Sequence, residues 1–151
     1  MTSHRQPRWQ CHSQRIEVPV TRHSGSCLCG AVRFEIEGDF DRFFFCHCQR
    51  CRKGTGSAHG ANLFSSSARV AWLCGQDKIT WYRVPDSRHS RAFCSACGGA
   101  LPRDHPGMLV VPAGSLDTDV HTQPTAHIFV ADRANWDCDL GSVPAFAALP
   151  G

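Results

Sequence analysis

The amino-acid sequence predicts a single, mainly β domain. Short apolar or alternating segments recur at close intervals, and residues typical of turns separate them. No segment keeps helical periodicity over three turns. The chain has 151 residues, of which 42% are hydrophobic and 19% charged, which suits one globular domain.

The first predicted element follows a polar leader. Residues 1–22 are rich in Arg, His and Gln without sustained periodicity, so we expect a loose leader and a domain over residues 23–151. Apolar and polar side chains alternate over Ala31–Glu37, which predicts a half-buried strand.

A second strand and a helical turn come next. Phe43–Phe45 is a short apolar strand that runs directly into Cys46. The following segment, HCQRCRKGTG, predicts one helical turn or a knuckle that Gly54 and Gly56 end.

The remaining predicted strands are short, with Gly, Pro, Asp and Ser between them. They are Ala61–Phe64, Val70–Leu73, Ile79–Val84, Ser90–Phe93, Met108–Pro112 and His127–Ala131. The Pro- and Gly-rich tail, GSVPAFAALPG, predicts irregular coil.

Composition also argues against several classes of partner. A net charge of +3 does not favour nucleic acid without a basic stripe, and Trp9 with its neighbouring arginines gives only a faint one. No apolar run approaches the ~20 residues that a membrane helix needs. The first fifteen residues lack the apolar core of a secretory signal, so we expect a cytoplasmic protein.

Ten cysteines are the strongest chemical signal. In the reducing cytosol, closely spaced cysteines indicate metal ligation or thiol chemistry before disulfides. Seven of them form three tight groups, whereas Cys11, Cys74 and Cys138 stand alone.

Two of the groups are pairs, each flanked by glycines. Cys27 with Cys29 and Cys94 with Cys97 together supply the four thiolates of a closed structural zinc site. Such a site would join an early strand to a late one and stabilise the fold. The alternatives are unligated buried thiols, or a redox C-x-x-C pair at Cys94 and Cys97 or at Cys48 and Cys51.

The third group, CHCQRC, supplies three thiolates from Cys46, Cys48 and Cys51. Three protein ligands with an open fourth position are typical of catalytic zinc. The alternative is a second closed site completed by His47 or by a distant histidine. If Cys46 and Cys48 face one metal from extended chain, however, His47 points the opposite way.

Cations accompany this group: Arg42 precedes it, and Arg50, Arg52 and Lys53 lie in or beside it. They could balance the negative charge of a three-thiolate zinc site or form a solvated basic face. The more specific hypothesis is that Arg50 and Arg52 bind carboxylates of an anionic thiol.

Three motifs occur together in this order. They are G-x-C-x-C-G-x-V from Gly25, C-H-C-x-x-C from Cys46, and F-C-x-x-C-G from Phe93. From Gly25 to Asp139, including PTAHIFVADRANW, the chain resembles the glutathione-dependent formaldehyde-activating enzyme family, also called the centromere-protein-V domain family.

The resemblance implies a zinc-stapled β-tent of short antiparallel strands that holds two zinc ions per chain. Cys27, Cys29, Cys94 and Cys97 match the family's structural site. The three cysteines Cys46, Cys48 and Cys51, called the trio below, match its catalytic site. The implied reaction, of the carbon–sulfur lyase class, joins glutathione or a similar thiol to formaldehyde or a related aldehyde. His47, His59 and His127 are candidates to carry the proton, and an exposed sheet edge could pair in a homodimer.

Two other functions remain open at this point. A zinc-binding interaction module without catalysis would have its second zinc closed by a fourth protein ligand. A repair reductase of the same fold would need a lone nucleophilic cysteine, for which Cys138 is the candidate. Asp137 and Asp139 beside it would raise its pKa, which argues against that role.

Overall fold

The computed structural model describes residues 19–150, and strands make up most of its regular structure. The strands are β1 (Arg22–Ser26), β2 (Arg33–Glu37), β3 (Arg42–Cys46), β4 (Gly60–Ser65), β5 (Arg69–Cys74), β6 (Ile79–Arg83), β7 (Ser90–Cys94), β8 (Ala100–Leu101), β9 (Arg103–His105), β10 (Met108–Pro112) and β11 (Ala126–Ile128). The α-helix α1 covers Gln49–Thr55. The fold is therefore mainly β, as predicted.

The strands form three small sheets. Their orders are β1-β2-β5, β11-β3-β4-β10-β9 and β6-β7-β8. All pairings between named strands are antiparallel except that of β11 with β3, which is parallel. The short antiparallel strands agree with the predicted fold, and the pairing of β11 with β3 is an exception to it.

The core lies where the inner faces of these sheets meet. Phe34 and Ile36 of β2, Leu63 of β4 and Leu101 of β8 have no exposed surface. The alternation in β2 thus buries the predicted face, because successive side chains in a strand point to opposite sides. Packing around Phe34 extends to the edge of the Trp72 ring, whose centroid lies 5.7 Å away.

The helix α1 begins and ends at residues of the motif that follows β3. Cys48 is its N-cap, and its sulfur accepts a hydrogen bond from the backbone N–H of Cys51 at 3.4 Å. Gly56 ends the helix with a φ of +66°, a conformation that glycine adopts without steric cost. Gly54 lies inside the helix, so the expectation that it helps to end the helix was wrong.

Other differences from the predicted elements are local. The sequence did not predict β1, β8 or β9, which are short and owe their conformation to their partners. The predicted strand His127–Ala131 is shorter, because Phe129 adopts a φ of +54° and a 3₁₀ turn over Val130–Asp132 follows. The tail is coil apart from a 3₁₀ turn at Leu140–Ser142. Most of the predicted leader, residues 1–18, lies outside the described residues, as does Cys11.

Candidate metal sites and an arginine-lined cavity

The four paired cysteines lie together between β1 and β7. Cys27 and Cys29 follow β1, whereas Cys94 ends β7 and Cys97 lies in the turn after it. Their four sulfur atoms are within 4.8 Å of one another, and those of Cys27 and Cys29 are 3.6 Å apart. The structure therefore brings together the four residues that the sequence grouped.

In both turns, backbone N–H groups donate hydrogen bonds to these sulfurs. The N–H of Val32 donates to Sγ of Cys27 at 3.3 Å, and the N–H of Gly99 donates to Sγ of Cys97 at 3.4 Å. The turns approach so closely that a Cβ on Gly99 would lie 2.9 Å from the backbone nitrogen of Leu28. Each turn thus stabilises negative charge on sulfur, and glycine permits their contact.

The thiols of this cluster compete for protons. Burial opposes ionisation of Cys27, but hydrogen bonds from Val32 and the neighbouring thiols outweigh it and lower the pKa of Cys27 to about 6. The backbone N–H of Ala31 lowers the pKa of Cys29, but the thiols of Cys27 and Cys97 outweigh it and raise that pKa to about 11. One thiolate therefore forms readily, and further ionisation needs a cation to offset the accumulating charge.

The three remaining clustered cysteines lie where β3 meets α1. Cys46 is the last residue of β3, Cys48 caps α1, and Cys51 lies in its first turn. Their sulfur atoms are also within 4.8 Å of one another. Within the described part of the chain, no His, Asp or Glu joins this group at that spacing.

The same competition for protons operates in the trio. Burial raises the pKa of Cys51, and the adjacent Cys46 and Cys48 sulfurs raise it further. Burial opposes ionisation of Cys48, but hydrogen bonds from the backbone N–H of Cys51 and from neighbouring thiols lower its pKa. Burial is the main cause that raises the pKa of Cys46.

Both clusters fit zinc in the chemistry and the spacing of their donors. Tetrahedral zinc with Zn–S bonds of about 2.3 Å separates its sulfurs by about 3.8 Å, close to the 3.6 Å between Cys27 and Cys29. Four sulfurs can close such a shell, and three leave one position free. The clusters could therefore hold two metal ions.

His47, between the cysteines of the trio, does not belong to their metal-binding group. Its ring is buried, and its Nε2 lies 2.7 Å from Nδ1 of His127. On the other side, its Nδ1 lies 2.7 Å from Oδ2 of Asp137, a short ion-pair distance without the direction of a hydrogen bond. His59 completes the group, with its ring centroid 5.2 Å from that of His47. The candidate proton carriers thus lie together and do not join the trio's sulfurs at metal-ligand spacing.

A cavity of about 270 Å³ opens beside the trio. Cys51 forms part of its wall, together with Arg50, Arg91, Arg103 and His89. Burial lowers the pKa of His89, and the positive charges of Arg103, Arg50 and Arg91 lower it further. His89 is therefore neutral at neutral pH and able to accept a proton.

Arg103 is the most enclosed of these cations. It donates from Nη1 to the backbone oxygen of Ser90 and from Nη2 to Oδ1 of Asn62 at 3.5 Å. Burial lowers its pKa, which the nearby Cys51 sulfur counteracts. No carboxylate among the described residues pairs with it.

The structure separates the two arginines that the sequence proposed for substrate binding. Arg50 lines the cavity beside Cys51, whereas Arg52 lines a different surface depression with Lys53 and Trp136. Of the lone cysteines, Cys74 and Cys138 are exposed, and neither belongs to a metal-binding group.

Sequence reasoning missed Arg91, Arg103, His89 and the partner of His47, Asp137. Of these four residues, only Arg91 could have been found from the sequence pattern, because it shares a face of the alternating strand β7 with Phe93. Its guanidinium lies 5.7 Å from the centroid of that ring. The other three come from segments that only folding brings to the site.

Among the described residues, no helix is long and apolar enough to cross a membrane.

A family model and a curated relative indicate the same family. The family model described as "Glutathione-dependent formaldehyde-activating enzyme" matches residues 22–132. A Halomonas elongata protein that has been assigned the name of the same enzyme is 31% identical over 125 residues, 74% of this chain and 77% of its own. A crystal structure of a Rhodobacter sphaeroides protein is 25% identical, covering 69% of this chain and 98% of that one, with a TM-score of 0.48. On the family match and the Halomonas relative, the chain belongs to the glutathione-dependent formaldehyde-activating enzyme family.

Proposed function

We propose that this protein is a zinc-dependent enzyme of the carbon–sulfur lyase class. It would join a thiol such as glutathione to formaldehyde or a related aldehyde. The observation that carries the proposal is the position of Cys51, which belongs to the three-thiol cluster and also lines the cavity with three arginines. A potential metal site with three protein ligands therefore opens onto a space where an anionic substrate can lie.

The two clusters would divide the metal-binding work. Cys27, Cys29, Cys94 and Cys97 would hold a structural zinc ion, and Cys46, Cys48 and Cys51 would hold the second. Zinc bound by the trio would act as a Lewis acid and would favour the thiolate form of an incoming thiol.

The chain's own residues would position the reactants and move the proton. The cavity would hold thiol and aldehyde side by side, which removes part of the entropic barrier to their union. His89 is the cavity's own titratable imidazole, so it would accept the thiol proton and return it to the aldehyde oxygen.

The reaction balances without a redox partner. A bond forms between the thiol sulfur and the carbonyl carbon, and the π electrons of the carbonyl move to its oxygen. The proton that leaves sulfur ends on that oxygen, which gives an S-hydroxymethyl adduct. No oxidant or reductant is needed.

Replacement of Cys48 with serine tests this function. We expect Cys48→Ser to lose one of two zinc ions per chain and to lose adduct formation, because a serine hydroxyl is a poor zinc ligand. Cys138→Ser is the matched control, since Cys138 is exposed and lies outside both clusters. Full activity and unchanged zinc content in Cys48→Ser would refute the proposal. Zinc binding without turnover in the unsubstituted protein would favour the interaction module instead.

Two further parts of the proposal concern the setting of the enzyme. The free thiols that both clusters need agree with a reducing compartment, so we propose the cytoplasm. A homodimer through an edge strand such as β9 also remains a prediction, which size-exclusion chromatography with light scattering can test.

A further inference from the structure

The helix α1 has two faces with different surroundings. The residues of one face line the cavity beside the trio, and they are Arg50, Cys51, Gly54 and Thr55. The residues of the other face line a separate surface depression of about 310 Å³, together with Ser57 and Trp136, and they are Gln49, Arg52, Lys53 and Gly56. The second set repeats at intervals of three and four residues, which places its members on one side of the helix. The function proposed above leaves this side unused.

Two cations of this depression have no acidic partner. Among the described residues, no carboxylate forms a salt bridge with Arg52 or Lys53, and no aspartate or glutamate lines the depression. The buried carboxylate of Asp137 lies against His47 and Arg133 instead. Both cations lie in the last turn of α1 and thus favour the helix dipole, but the enclosed Nε of Arg52 still lacks a hydrogen-bond acceptor. An anion in the depression would supply both the charge and the acceptor.

Trp136 contributes an aromatic surface to the same depression. It is 58% exposed, although Ala134 and Asp137 close to it in the chain are buried. The backbone N–H of Asp137 donates to the carbonyl oxygen of Ala134 at 3.0 Å, which fixes the turn that carries the indole. Within the described part of the chain, no aromatic ring and no guanidinium stacks on Trp136. The face of the indole is therefore available to a planar ligand.

We propose that this depression binds a nucleoside phosphate, with the base stacked on Trp136 and the phosphate held by Arg52 and Lys53. A phosphate monoester carries a charge of about −1.5 to −2 at neutral pH, which matches two cations. Arg52 can form two parallel hydrogen bonds to phosphate oxygens, and Lys53 adds a point charge. Because every base has a π face, the indole selects this class of ligand and not one particular base. The site is separate from that of the proposed function, since it lies on the other face of α1.

Calorimetric titration of the zinc-loaded protein tests the site without thiol or aldehyde. The probes are adenosine 5′-monophosphate, adenosine, which lacks the phosphate, and ribose 5-phosphate, which lacks the base. We expect the nucleotide to bind at least 10-fold more tightly than either fragment, because a charge-assisted hydrogen bond and a base stack each contribute about a factor of ten or more. Equal affinity for the nucleotide and one of the fragments, or no saturable binding of the nucleotide, would overturn the proposal.

Substitutions of the cations then locate the phosphate. Arg52→Met and Lys53→Met should each weaken binding of the nucleotide about 10-fold and leave the weaker binding of adenosine unchanged. Arg50→Met is the matched control, because Arg50 belongs to the same helix but lines the cavity beside the trio. If Arg50→Met weakens binding as much as Arg52→Met, the nucleotide lies in that cavity and the assignment is wrong.

Tryptophan fluorescence locates the base. A stacked base should quench the emission of Trp136, so we expect the nucleotide to quench the unsubstituted protein and Trp81→Phe, but to lose most of this effect in Trp136→Phe. Trp81 is the matched control, because it is also exposed and lies outside the depression. Full quenching in Trp136→Phe would show that the base stacks elsewhere and would refute the site.

Thermal unfolding of each variant identifies loss of binding through misfolding. If Arg52→Met misfolds, Arg52→Lys replaces it, and full affinity for the nucleotide in that variant would show that the bidentate contact to phosphate is absent. None of these measurements depends on adduct formation. Failure of the nucleotide site therefore leaves the proposed enzyme standing, and a protein that binds the nucleotide without forming the adduct keeps the site and loses the enzyme.

Discussion

Nδ1 of His47 lies 2.7 Å from Oδ2 of Asp137, which connects the centre of the three-cysteine motif to the segment that follows the last strand. Both side chains are almost fully buried. Arg133 adds a longer contact to the same oxygen at 3.7 Å, and His127 approaches the opposite nitrogen of His47. The contact links the His47 ring to the segment after β11.

Removal of the negative charge of Asp137 should destabilise the protein. We expect Asp137→Asn to lower the free energy of unfolding by about 1–3 kcal/mol, because His47 then loses a buried charge partner. Asp132→Asn, at an exposed carboxylate in the same segment, should change it by less than about 0.5 kcal/mol. Urea unfolding of the zinc-loaded proteins measures both. Equal stability of the two variants would show that the contact contributes little.

The four-cysteine cluster should control folding. Cys94 is fully buried at the end of β7, and we expect Cys94→Ser to lose one zinc ion and roughly 5 kcal/mol or more of stability, because binding of a structural metal is folding free energy. Elemental analysis and thermal unfolding follow the two effects. Cys74→Ser should keep both zinc ions and its melting temperature, since Cys74 is exposed and outside the clusters. A stable Cys94→Ser protein with two zinc ions would contradict the structural assignment.

Two glycines of similar backbone conformation should respond differently to alanine. Gly75 and Gly107 have φ values of +74° and +76°. A Cβ at Gly75 would lie 2.9 Å from the Cα of Val32, next to the first cysteine turn, whereas a Cβ at Gly107 meets nothing within 4 Å. We expect Gly107→Ala to cost about 1–2 kcal/mol from backbone conformation alone, and Gly75→Ala to cost about 2–5 kcal/mol with overpacking included. Denaturant unfolding compares them, and a similar cost for both would mean that the loop at Gly75 shifts freely.

The arginines of the cavity should set the protonation of His89. Burial is the main cause of its lowered pKa, and Arg103 is the largest of the charge effects. We therefore expect Arg103→Met to raise the pKa of His89 without restoring the ordinary value. Proton NMR titration of the imidazole measures this shift, with Arg69→Met at an exposed site as the control. An unchanged His89 pKa in Arg103→Met would show that the Arg103 charge does not affect the protonation of His89.

The same pKa has a consequence for stability. Because His89 has a lower pKa when folded than the ~6.5 of an unfolded histidine, the unfolded chain binds more protons between the two values. Stability from this group is thus complete above about pH 6.5 and is lost as the pH falls through the folded pKa. Arg103→Met should make that acid loss smaller, which unfolding curves at several pH values can show.

Much of the strand pattern was readable from the sequence, because a half-buried strand imposes a two-residue period. The predicted Ala31–Glu37 strand contains β2, and Met108–Pro112 coincides with β10. The pattern could not reveal that β11 pairs in parallel with β3, since periodicity says which face is buried but not which strand is the neighbour. Nor could it reveal β1, whose sequence RHSGS has no alternating apolar side chains.

The sequence by itself determined the division of seven cysteines into four and three, because ligands supplied by one tight turn must lie close together in the chain. Only the tertiary structure decided what surrounds them. Asp137 lies beside His47, and Arg91 and Arg103 line the same cavity as Cys51, although these residues come from strands and loops that are far apart in the chain. Spacing along the chain carries no record of such contacts, because they depend on how the sheets pack.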